Sequence, residues 1–170
     1  MAMLLFETTI GTCGVSWSEI GITEVVMPRS RGLSGERLEA SSDVPEAIRS
    51  AIAGIVALLD GERRDLRWIA LDERHLDPFR RRVYAAARNI APGSTASYGE
   101  VARAIGEPRA AREVGVALAQ NPFPIIVPCH RVLAATGALH GFSAPGGIAT
   151  KRRMLEIEHA PGFAQEALFA

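Results

Sequence analysis

Cys129 and His130 stand side by side in Pro128-Cys129-His130-Arg131-Val132, directly after the apolar run Ile125-Ile126-Val127. A neutral thiol is a weak nucleophile, but a neighbouring imidazole can take its proton and hold the thiolate when a third group orients the ring. Adjacency alone leaves a second reading open. Cysteine is among the most buried residue types, and such a pair is equally a packed thiol beside a surface histidine. Which reading holds depends on what the surrounding elements bring to the pair.

Upstream, Ser97-Tyr98-Gly99-Glu100 has the Ser-x-x-Glu form that caps a helix start, with hydroxyl and carboxylate satisfying backbone N–H groups reciprocally. Val101, Ala104 and Ile105 supply that helix's apolar face, and Gly106 ends it. Pro108 begins a second helix that runs to about Gln120, where Asn121-Pro122 breaks it. Two short helices across a glycine turn make a helix-turn-helix, a pattern also found at helical corners that touch no DNA. The second helix is rich in small residues (Ala110, Ala111, Gly115, Ala117, Ala119), which permit close approach either to a neighbouring helix or to the floor of a narrow groove. Before this pair, Phe79, Val83, Ala86, Ala87 and Ile90 share one helical face ended by Pro92-Gly93, and Arg80, Arg81, Arg82 and Arg88 read as its solvated side.

The first half has a different pattern. Residues 4–9, 14–18 and 22–26 read as short strands separated by glycine-containing turns, giving a small antiparallel sheet. Arg29 to Asp43 reads as a loop. Pro45 stands where a first helical residue would, and Ile48, Ile52, Ile55, Val56 and Leu59 recur at helical spacing until Gly61, forming an amphipathic helix against the sheet. A further strand is expected over Leu66 to Leu71, with Asp72-Glu73-Arg74-His75 as a linker. The chain therefore divides into an α/β unit over 1–76 and a mostly helical unit over 77–170.

A chain of 170 residues, 48% hydrophobic, can bury an ordinary core. It contains no apolar run of membrane-spanning length and no signal-type opening, so no membrane partner and a cytoplasmic location are expected. Two cysteines, Cys13 and Cys129, and four scattered histidines offer neither a disulfide framework nor zinc-ligand spacing. No metal and no cofactor are expected, since a glycine-rich nucleotide motif is also missing. Cys13, in a strand, is expected to have no catalytic role. Net charge is zero, but residues 77–170 carry eleven Lys and Arg against seven Asp and Glu, which leaves eight against twelve before them. Such an asymmetry can place a phosphate-facing surface on the second half, although ordinary surface charge can also produce it.

The segment Asn121-Pro122-Phe123-Pro124-Ile125-Ile126-Val127-Pro128-Cys129-His130-Arg131-Val132 resembles the active-site segment of the O6-alkylguanine-DNA alkyltransferases. Ser97 to Ala102 and Arg109 to Gly115 resemble that family's helix-turn-helix, and Gly146-Gly147 with Lys151 lead into a helix ending Leu155-Glu156-Ile157-Glu158. The resemblance is specific over about residues 77–160 and fainter before. It implies a ribonuclease-H-like N-terminal domain without chemistry of its own, and a C-terminal domain with a winged helix-turn-helix-like motif. It also implies a monomer acting on double-stranded DNA that contains O6-alkylguanine, with O4-alkylthymine as a second substrate. The alkyl group would pass once and irreversibly to Cys129.

By the same resemblance Glu158, His130, a water and Cys129 form a relay, and Tyr98 donates a proton to the departing base. Arg112 enters the base stack when the nucleotide rotates outward. Thr95, Ser97, Ala110, Ala111 and Gly115 face the DNA, and Leu118, Pro124, Val132, His140, Phe142 and Ser143 line the alkyl pocket. Asn121, Arg131 and Lys151 support the site. Phe142 stands where tyrosine is common in the family, Ala144-Pro145 is an insertion, and His140 occupies a place that can be glycine. A preference for methyl and small alkyl groups over benzyl follows, which comparable rates with both would reject. Two other functions fit parts of the pattern: an alkylguanine-binding sensor, which would lack the nucleophile, and a Cys-His hydrolase, which would turn over and need no helix-turn-helix. A methyl-sensing regulator would need a further metal-binding cluster or domain.

Overall fold

The computed structural model describes residues 3–139 and 146–163, so that His140, Phe142 and Ser143 lie outside the described residues. Strands β1 (Leu4–Thr8), β2 (Gly11–Trp17) and β3 (Ile22–Val26) pair antiparallel. The stretch expected as a loop contributes β4 (Glu36–Arg37), which runs parallel to β1 at the sheet edge, followed by a 3-10 turn over Leu38–Ala40. The sheet order is β3-β2-β1-β4, and the sheet is therefore mixed rather than purely antiparallel.

Helix α1 (Glu46–Leu59) covers this sheet with Ile48, Ile52, Ile55, Leu58 and Leu59, the face its periodicity predicts. Pro45 is its N-cap rather than its first helical residue, and Gly61 leaves the helix at φ +97°, a conformation glycine adopts without a Cβ clash.

The strand expected over Leu66 to Leu71 does not form. Asp65 accepts a hydrogen bond from the backbone N–H of Arg67, which turns the chain, and only Leu71 makes a single bridge to Ile22. The carbonyls of Leu66, Arg67 and Ile69 instead converge on the guanidinium of Arg88, which an extended strand with alternating carbonyls could not offer. Arg88 is consequently a half-buried clamp and not part of a solvated face. Arg82 is tied to the Ile105 carbonyl and Arg81 to the Leu76 carbonyl. The linker stretch is also fixed. Asp72 is buried, receives Ser18 Oγ at 2.7 Å and Arg74 at 2.6 Å, and its N–H bonds to the Ile22 carbonyl.

Beyond it come α2 (Pro78–Arg88), capped by Asp77, then β5 (Ala96–Ser97), α3 (Tyr98–Ala104), α4 (Ala111–Ala119), β6 (Val132–Leu133) and α5 (Ile148–Ile157). The Ser97–Glu100 capping box is formed in both directions. Pro108 and Arg109 belong to the turn, so that α4 begins three residues later than its sequence suggests. One hydrophobic core runs from Leu4 through Val83 and Val114 to Met154, so both halves of the chain share it.

Tyr84, fully buried between these elements, donates its hydroxyl to the Ala117 carbonyl at 2.7 Å and so locks α2 to α4. The carbonyl retains a backbone donor, so Tyr84→Phe is expected to cost about 1 kcal/mol, read as a lower denaturant midpoint at unchanged slope.

Candidate active site

Cys129 is brought into position by three constraints. Asn121 donates Nδ2–H to the Val127 carbonyl at 2.9 Å and accepts the Phe123 N–H at 2.9 Å, tying the end of α4 to the segment before the thiol. Val25 of β3 donates its N–H to the Pro122 carbonyl, so the N-terminal sheet backs the same segment. Within it Ile125 is held at φ +78°, a costly conformation for a β-branched residue, on the order of 1–3 kcal/mol, which survives only because its surroundings fix it. The chain then enters a 3-10 turn over Cys129–Arg131 and continues as β6, which pairs with β5. Because β5 ends at the N-cap of α3, this two-residue ladder carries Tyr98 to the thiol's side of the molecule.

His130 is fully buried and places Nε2 at 3.0 and 3.1 Å from the two oxygens of Glu158, which caps the end of α5. A nitrogen facing a carboxylate carries the proton, so Nε2–H is the donor and Nδ1 keeps its lone pair. Among the described residues Nδ1 meets no partner. Arg131 grips the same carboxylate with a planar fork, Nε to Oε1 at 2.8 Å and Nη2 to Oε2 at 2.7 Å, and gives Nη1 to the Ile90 carbonyl at 2.7 Å. Lys151 is 1% exposed, donates to the Val132 carbonyl at 2.8 Å, and its Nζ stands 5.9 Å from the centre of the Tyr98 ring.

The titration behaviour follows from this packing. Burial pushes the Cys129 thiol up, more than a hydrogen bond from Asn121 and the charge of Lys151 pull it back, so the resting sulfur is protonated. Burial also lowers His130 and outweighs the pull of Glu158, while Arg131 and Lys151 lower it further, so the ring is neutral. For Glu158 burial acts upward, but the His130 ring, the Arg131 fork and their hydrogen bonds outweigh it and hold the carboxyl at about 2. With His130 neutral, the Arg131 fork and the hydrogen bond from Nε2–H are the parts of that stabilisation that remain. Burial likewise raises Tyr98, which keeps its hydroxyl as a donor. A protonated thiol, a neutral buried imidazole and an ionised carboxylate behind it are the components that a proton-transfer chain to a nucleophile requires.

The other residues named from the sequence fall in two groups. On α4, Val114, Ala117 and Leu118 face the core, while Ala111 and Gly115 are half-buried and Arg112 is exposed at the first turn. Gly115 lies against Tyr98, where a Cβ would meet the ring at 3.8 Å. Thr95 and Ser97 are half-buried before α3, and Ala110 is the N-cap of α4. Val132 and Leu118 are buried and Pro124 is half-buried, while the remainder of the expected pocket wall lies in the residues not described. Sequence reading missed Val116, 54% exposed and one turn beyond Arg112 on the same side of α4; its outward position shows in the i, i+4 spacing from Arg112. Among the described residues no group of three potential ligands is placed to hold a metal, and no helix is long and apolar enough to cross a membrane.

Residues 78–160 match a family profile described as 6-O-methylguanine DNA methyltransferase, DNA binding domain. A methylated-DNA–protein-cysteine methyltransferase from Mycobacterium bovis is 45% identical over 125 residues, which is 74% of this chain and 73% of that protein. One from Methanothermobacter thermautotrophicus is 37% identical over 147 residues, covering 85% and 78%. The chain belongs to the methylated-DNA–protein-cysteine methyltransferase family. A crystal structure of the Mycobacterium tuberculosis OGT in complex with DNA superposes with a TM-score of 0.75 at 36% identity, covering 96% of this chain and 97% of that one.

For this member of the methyltransferase family the buried His130–Glu158 pair makes stability depend on pH. The folded state lowers the affinity of both His130 and Glu158 for protons, so the unfolded chain binds more of them in acid. Stability is expected to fall as pH drops below about 6.5, where unfolded histidine begins to protonate, and more steeply below about 4.5, where unfolded glutamate does. Denaturant unfolding at a series of pH values checks this; a flat profile between pH 7 and 4 would contradict it.

Proposed function

We infer that the protein repairs DNA by direct reversal, taking the alkyl group of O6-alkylguanine, chiefly methyl, onto Cys129. What carries the reading is the buried Cys129–His130–Glu158 arrangement, with Nε2 committed to the carboxylate and Nδ1 left as a base. His130 Nδ1 takes the thiol proton through a water. The sulfur then attacks the alkyl carbon, the carbon–oxygen bond breaks as the carbon–sulfur bond forms, and Tyr98 gives the departing guanine a proton at N3. The product is a thioether. The other cysteine, Cys13, is buried in β2 with its thiol pushed up to about 11, so it is poorly suited to resolve the adduct.

A guanine O6 inside a duplex is out of reach of a buried thiol, so the nucleotide rotates outward. The small first turn of α4 suits close approach to the minor groove, and the exposed Arg112 fills the gap in the stack and pairs with the orphaned base. O4-alkylthymine offers the same type of alkyl carbon and is taken by the same route. Residues 77–170 then carry the chemistry on a winged helix-turn-helix-like scaffold, and residues 1–76, ribonuclease-H-like in type, support them. Quantifying repaired lesion against protein tests the reading: it predicts a plateau at one lesion per molecule. Continued turnover would favour a hydrolase, and binding without transfer a sensor.

A further inference from the structure

A cleft of about 310 Å³ lies between residues 63–67, the end of α2 with the turn after it, and the segment leading to Cys129. Its charged lining is one-sided: Arg63, Arg64, Arg67, Arg88 and Arg131 against Asp65 alone. Most of these cations are committed elsewhere. Arg67 holds Asp65 through two bonds of 3.0 Å, Arg64 pairs with Glu62 at 3.4 Å on the surface, and Arg131 is spent on Glu158. Two remain. Arg88 uses Nη2 on backbone carbonyls, which carry no net charge, and its buried Nε–H meets no acceptor among the described residues; Asp65 and Glu73 are the carboxylates whose charge reaches it. Arg63 has no ion-pair partner among the described residues. Its guanidinium lies near Gly93, where a Cβ would meet the Glu158 carbonyl at 3.1 Å and Arg63 Nη2 at 3.3 Å.

Two arginines that line one cleft without an ion-pair partner among the described residues, with room for a small ligand between the walls, favour an oxyanion with several acceptors. We propose that this cleft is an anion site taking a phosphate-type group between Arg63 and Arg88. Its wall includes Ile125, Ile126 and Arg131, so an occupant braces the strained segment before Cys129 and the fork that holds Glu158.

The test uses the full chain with inorganic phosphate, read by thermal unfolding against chloride at matched ionic strength, with Arg63→Ala as the variant. Arg63 is exposed and makes no ion pair among the described residues, so the variant is expected to fold, and neither measurement depends on alkyl transfer. At about ten times its Kd, phosphate is expected to raise the Tm of the wild type by about 3 °C or more and that of Arg63→Ala by much less. A parallel salt titration of binding to undamaged duplex DNA separates the two sources of phosphate. A salt slope reduced by about one in the variant assigns the site to the DNA backbone, and an unchanged slope beside an Arg63-dependent Tm shift assigns it to free phosphate. Equal Tm shifts in both proteins together with an unchanged DNA slope would overturn the site.

Discussion

Glu158→Gln is expected to destabilise the protein by about 3–5 kcal/mol and to slow alkyl transfer by on the order of 10²–10⁴-fold. The substitution keeps the size of the side chain and removes its charge. Arg131, 5% exposed, then holds a buried guanidinium without a counter-charge, and removing one partner of a buried pair costs far more than the pair itself contributes. The rate falls for a separate reason. A glutamine amide can donate to His130 Nε2, which favours the tautomer with the proton on Nδ1 and removes the base from the side where the thiol needs it. The two effects can be separated. Adding Arg131→Met removes the stranded charge, so the double variant should recover much of the stability and none of the rate. Denaturant midpoints and single-turnover kinetics on the wild type and the two variants check this, and recovery of both together would show that Glu158 acts only by holding the fold.

Arg112→Ala should slow transfer from a duplex by about 10- to 100-fold, the equivalent of the few kcal/mol needed to unstack and unpair a base, and leave transfer from a single-stranded oligonucleotide nearly unchanged. Its Tm should not move, because Arg112 is exposed at the first turn of α4 and makes no ion pair among the described residues. Equal losses on both substrates would mean that Arg112 serves general affinity for phosphates, and no loss on either would remove it from the account.

The parts of the site that were legible in the sequence are local or periodic. The Ser97–Glu100 capping box, the face of α1 and the break at Asn121-Pro122 each rest on residues a few positions apart, and each is present in the fold. What the sequence could not show is pairing at a distance. Leu66 to Leu71 has the composition of a strand, yet Arg88, some twenty residues on, draws its carbonyls into a turn. Glu36 and Arg37 look like loop, and become a strand only because β1 has a free edge. Arg131 and His130 share a single carboxylate twenty-seven and twenty-eight residues away, and nothing in the intervening sequence says that both converge on Glu158. Family resemblance supplied that long-range link for His130, and the fold supplied it for Arg131. Tyr84 was hidden among arginines on α2, although its spacing from Val83 and Ala87 places it on the buried side.

The most direct measurement is the mass of the protein after incubation with a duplex carrying one O6-methylguanine, followed by peptide mapping, with Cys129→Ala as control. The account predicts a gain of one methyl group in place of a hydrogen, stoichiometric with repaired lesion, confined to the peptide containing Cys129 and missing from the control. Repair of the lesion with no mass gain on that peptide, or a methyl group on Cys13, would contradict it.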